Sequence, residues 1–91
     1  MPKIIFTESY EKSVSKFIKK HPKLINQYSK TLQLLELNPN HPSLRLHRLK
    51  GNLSELHSVS INMTYRITIE FIIQEDQIIP IHVGTHDEAY K

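Results

Sequence analysis

Apolar positions recur every three or four residues in the first part of this chain and every second residue in the last part. Lys3 to Phe6 is a short apolar run that predicts a first strand. Thr7 then offers an N-cap oxygen, and Glu8 and Glu11 fall in the positive first turn of a helix. Tyr10, Val14, Phe17 and Ile18 share one helical face, with Lys12, Lys16, Lys19 and Lys20 largely off it. The helix should stop near His21, because the residue before Pro22 is disfavoured in the helical region. Pro22 can open a second helix with an apolar stripe of Leu24, Ile25, Tyr28, Leu32 and Leu35, ended by Asn38-Pro39-Asn40. So tight a connection implies an antiparallel helix pair.

His41 to Asn52 reads as a basic connection carrying Arg45, His47, Arg48 and Lys50, tethered by Leu44, Leu46 and Leu49. The period then becomes two. Val59 and Ile61 alternate with Ser58, Ser60 and Asn62. Tyr65, Ile67, Ile69, Phe71 and Ile73 alternate with Arg66, Thr68 and Glu70. Gln74 to Gln77 is a polar turn, and Ile79, Ile81 and Val83 form one face of a last strand, with His82 opposite. Alternation of this kind predicts antiparallel strands with one face on the helices and one wet. Pro80 makes the last strand irregular or exposed on one edge, and Gly84 is expected to free the backbone for a turn at its exit. The predicted fold is α+β in the order β-α-α-β-β-β, an antiparallel sheet packed on one face by the helix pair.

Length and composition add bounds. Ninety-one residues make a single domain, 1–91, with one two-layer core. No apolar run approaches the roughly 18 residues of a membrane span, and the first residues lack the features of a signal peptide. Without cysteine there is neither a disulfide framework nor a cysteine nucleophile. A cytoplasmic location with no membrane association is the expectation. Charge is uneven: residues 1–50 hold ten Lys/Arg against three Asp/Glu, +7, while residues 51–91 hold two against six, −4. A basic half attracts polyanions such as RNA, and equally it serves as a solvated helix face.

The candidate chemistry gathers at the end of the chain, Val83-Gly84-Thr85-His86-Asp87-Glu88-Ala89-Tyr90. His86 and Tyr90 stand on a polar tail with no evident core role. RNA cleavage needs no metal when the ribose 2′-hydroxyl attacks the adjacent phosphate. The site must deprotonate that hydroxyl, neutralise charge on the phosphate and protonate the leaving oxygen. Histidine suits the proton transfers, arginine the phosphate, and an aromatic ring the unpaired base. His86, His82, His47, Arg66, Lys50 and Tyr90 supply that set. His57 shares parity with Val59 and reads as a partly buried structural histidine. His82 and His86 have a zinc-ligand spacing, but on a strand and turn with no third ligand, so neither metal nor cofactor is expected. With two glycines the chain has no Gly-rich phosphate loop, and it has no nucleophile elbow.

The strand and two helices, Leu49-Lys50-Gly51, the run Ser58 to Ile67 with its Tyr65-Arg66-Ile67 step, and the Gly84-to-Tyr90 ending together resemble the RelE/ParE toxin superfamily of type II toxin–antitoxin systems. The nearest branch is that of RelE and YafQ-like mRNA interferases. The resemblance implies a RelE-like, microbial-RNase-like fold and a ribosome-dependent endoribonuclease that cuts mRNA and is silenced by a cognate antitoxin. It implies His86 in proton transfer, Arg66 on the phosphate, Tyr90 stacked on the cleaved nucleotide, and His47 and His82 beside the site. Arg45, Arg48, Lys50, Lys16, Lys19 and Lys20 are the expected RNA and ribosome contacts. Ser60 and Thr64 stand where relatives often carry a basic or acidic catalytic residue, which makes His47 the first candidate for general base. A ParE-like, non-enzymatic inhibitor of DNA gyrase shares the fold and is the alternative, as is a catalytically weak member that only binds its antitoxin.

Overall fold

The computed structural model describes residues 2–51 and 55–85. Its elements are β1 (Lys3–Ile4), α1 (Glu8–Lys20), α2 (Ile25–Leu37), β2 (His47–Arg48), β3 (Leu56–Ser60), β4 (Tyr65–Ile72) and β5 (Gln77–Thr85). Thr7 caps α1, its side chain accepting from the Tyr10 N–H at 3.2 Å. The helix ends where expected, the His21 N–H reaching back to the Phe17 and Ile18 carbonyls. Pro22 opens a single 3-10 turn, Pro22–Leu24, before α2 starts at Ile25.

The five strands lie in the order β1-β5-β4-β3-β2. Two features differ from the sequence reading. The sheet is mixed, because β1 runs parallel to β5 through Lys3–Gln77 and Ile4–Ile78. The basic connection also contributes a strand: His47 and Arg48 pair antiparallel with Ser58 and His57 at the sheet's far edge. The first strand was expected, but its parallel pairing is not written in an apolar run; the two residues of β2 are too few to show a period. Leu44 and Leu49 are buried and Leu46 packs against the core, which ties the connection down as expected.

One face of the sheet meets the helices. Val59, Ile67 and Val83, directly paired across three strands, cluster with Ile69, Ile78, Tyr10, Phe17, Tyr28 and Leu35. The Tyr10 and Tyr28 hydroxyls meet at 2.8 Å and join α1 to α2. Burial pushes both phenols above their usual range, so the pair stays neutral. Ile25, expected on the α2 stripe, is exposed, and Thr31 takes a buried place by giving its hydroxyl to the Gln27 carbonyl at 2.8 Å.

β5 is where the expected parity fails. A register shift between Thr68 and Ile69 puts Pro80 opposite Ile69 and His82 opposite Thr68. Ile81 is the extra residue and is exposed, while Ile78, Pro80 and Val83 are buried. A bulge admits Pro80 because one residue there is excused from the ladder. Gly84 does not turn the chain. It lies within β5 opposite Arg66, and the strand runs on to Thr85.

Candidate functional site

The face of the sheet turned away from the helices carries the polar residues. Direct cross-strand partners share a face, so two rows follow from the register. The first runs His47, Ser58, Thr68, His82 across β2, β3, β4 and β5. The second runs Ser60, Arg66, Gly84 across β3, β4 and β5. Arg66 therefore sits between Ser60 and a residue without a side chain, two pairs along the ladder from His82.

Ser58 and Thr68 are 1% and 2% exposed, and neither hydroxyl has a hydrogen-bond partner among the described residues. The buried Nε of Arg66 has none among them either, and no acid among the described residues pairs with its guanidinium. A buried polar group without a partner costs stability, which makes these three neighbouring groups candidates for a role other than folding. The hydroxyls were missed from sequence. Their alternation with apolar residues puts them on the wet face, and nothing in that pattern says that they are covered.

His47 is exposed on β2, two strand spacings across and two residues along from Arg66, about 12 Å of backbone. Its Nδ1 lies 2.9 Å from the Arg45 carbonyl. A carbonyl only accepts, so Nδ1 carries the proton and donates it. In the neutral form of that tautomer Nε2 holds the lone pair, as a general base requires. His47 and His82 stand at opposite ends of the row, three strand spacings apart, and so do not form one catalytic pair.

The other expected contacts divide. Arg45 adopts a left-handed conformation, φ 50°, after the 3-10 turn Pro42–Leu44, and Lys50 is exposed. Arg48 pairs with His57, on the parity opposite to His47, so the basic connection does not present one continuous grip. His57 packs edge-on against Phe71 with centroids 4.9 Å apart. Burial holds its imidazole below the usual range, and the charges of Arg48 and His47 act the same way. Ser60 lies beside Arg66, whereas Thr64 is in the β3–β4 turn, where Asn62 Oδ1 accepts from the Thr64 and Tyr65 N–H groups at 2.9 and 2.8 Å. His86 and Tyr90 lie outside the described residues; His86 follows directly on Thr85, the partner of Tyr65 at the last step of the ladder.

No protein-family model and no curated protein matches this chain. Solved structures do. YafQ from Escherichia coli BL21(DE3) superposes over 100% of both chains at a TM-score of 0.79 and 16% identity. The chain has the fold of the RelE/ParE toxins. Within that fold, the E. coli DinJ–YafQ toxin–antitoxin complex matches 99% of this chain and 98% of its counterpart, at 0.76 and 18% identity. A YoeB/ParE toxin from Agrobacterium tumefaciens matches 92% and 98%, at 0.73 and 14% identity. The fold is thus shared by toxins of more than one name. Among the described residues no three His, Asp or Glu side chains are grouped to hold a metal.

Proposed function

We propose that this protein is the toxin of a toxin–antitoxin pair and that it cuts mRNA on the ribosome without a metal. The observation that supports the reading is Arg66: a guanidinium that no acid among the described residues pairs with, on the polar face between Ser60 and Gly84, whose charge a phosphate would balance. Arginine donates two parallel hydrogen bonds to a phosphodiester and stays charged at any working pH.

In this reading the His47 Nε2 takes the proton from the ribose 2′-hydroxyl, whose oxygen attacks the adjacent phosphorus. Arg66 neutralises the charge gathered on the phosphate oxygens. His86 gives a proton to the departing 5′-oxygen, leaving a 2′,3′-cyclic phosphate, and Tyr90 stacks on the base next to the cut. His82 flanks Arg66 and supports the phosphate. The ribosome supplies the extended, unpaired substrate. An antitoxin with an acidic segment covers the basic half of the chain; the toxin–antitoxin complex of like fold supports a partner of this kind.

Expression without a partner tests the choice among the readings. The nuclease reading expects growth arrest with a rapid halt of amino-acid incorporation and unchanged plasmid supercoiling. Arrest with altered supercoiling and intact mRNA would favour a ParE-like gyrase inhibitor. No arrest would favour a member that only binds its antitoxin.

A further inference from the structure

A cleft of about 400 Å³ opens between the C-terminal half of α1 and the end of β5. Lys16, Lys19 and Lys20 line it, at the helical spacing that puts side chains on one face, and all three are exposed. Among the described residues no acid lines it. Its floor is aromatic. The His21 ring lies 4.7 Å from Tyr65 and 5.0 Å from Phe17, and Tyr65 meets Phe17 edge-on at 5.2 Å.

Two residues join this cleft to the polar face of the sheet. His82 and Gly84 both line it, and they are the cross-strand partners of Thr68 and Arg66. The cleft and Arg66 are therefore neighbours across the β4–β5 ladder. Cations clustered with aromatic rings are the combination that holds single strands, the cations on phosphates and the rings on bases.

We propose that this cleft is a nucleotide subsite for single-stranded RNA, with a phosphate among Lys16, Lys19 and Lys20 and the attached base against His21 and Tyr65. The proposal rests on the ribonuclease reading for the identity of its ligand, but its test does not use cleavage. The isotope-labelled full chain is titrated with a 2′-O-methylated RNA tetranucleotide, which cannot be cut, and followed by amide chemical shifts. The expected result is shifts centred on residues 16–21, 65 and 82–84. Lys16→Gln/Lys19→Gln/Lys20→Gln, all at exposed positions, should weaken binding at least tenfold. It should also reduce the slope of log K against log salt by about 0.7 for each phosphate that the variant no longer neutralises. An abasic phosphodiester of equal charge should bind the wild type about fivefold or more weakly than the tetranucleotide, a difference that His21→Ala reduces. Unchanged affinity and salt slope in the triple variant would overturn the proposal, as would shifts confined to the Arg66 face. Equal binding of the abasic chain would overturn its base-stacking part. Binding in the cleft by a protein that cuts nothing on the ribosome would leave the subsite standing and remove the nuclease reading.

Discussion

Arg66 lies directly opposite Gly84 on the β4–β5 ladder, and no acid among the described residues neutralises it. The charge is held without a counter-ion from those residues. Arg66→Ala should lower mRNA cleavage by about 10²-fold or more, the usual effect of removing one group that stabilises transition-state charge. Arg66→Lys should recover only part of the activity, because an ammonium keeps the charge and not the planar fork. Both proteins should remain folded by circular dichroism. Full activity in Arg66→Ala would detach the arginine from the chemistry.

Thr68 keeps a buried hydroxyl with no partner among the described residues. Thr68→Val removes that group while nearly keeping its shape, so urea unfolding should show equal stability or a gain of up to about 1 kcal/mol. A decrease of about 2 kcal/mol or more would mean that the hydroxyl is engaged in the folded protein.

The Tyr10–Tyr28 pair supplies a stability probe remote from the open face. Tyr10→Phe leaves the Tyr28 hydroxyl buried without its 2.8 Å partner and should cost about 1–3 kcal/mol in urea unfolding. Cleavage by the folded fraction should not change. Both phenols are raised above their ordinary value of 10, so the neutral pair's contribution is complete below pH 10 and is lost as the pH rises beyond it.

His57 acts in the opposite direction. Its folded pKa lies below the ordinary 6.5, so between those values the unfolded chain binds more protons than the folded one. Its contribution is complete above pH 6.5 and falls away as the pH drops through the folded value. His57→Gln should flatten the acid side of a stability–pH curve. An unchanged slope would show that another group sets it.

The polar face was legible where alternation is long. Arg66, Thr68 and Glu70 against Ile67 and Ile69 fixes the parity of β4, and the α1 stripe with its Thr7 cap located the first helix. It was not legible where pairing decides. The two-residue strand His47–Arg48 exists because β3 offers it an edge, and that pairing separates His47 from Arg48. The bulge at Pro80–His82 shifts parity in mid-strand, so Ile81, which fits the apolar pattern, ends up exposed. The α1 lysines were expected as RNA contacts or as a solvated face, but their cleft was not legible, because the His21–Tyr65 contact that gives it a floor spans 44 residues of sequence.

The central claim is metal-free cleavage of mRNA on the ribosome, with His86 as general acid. Mapping of mRNA 5′ ends in a reconstituted translation system, with EDTA-washed wild type and His86→Ala compared, tests it most directly. The account predicts wild-type cuts that require ribosomes and vanish in a folded His86→Ala. Equal cutting by that variant would contradict the assignment of His86, and an absence of cuts with the wild type would contradict the nuclease itself.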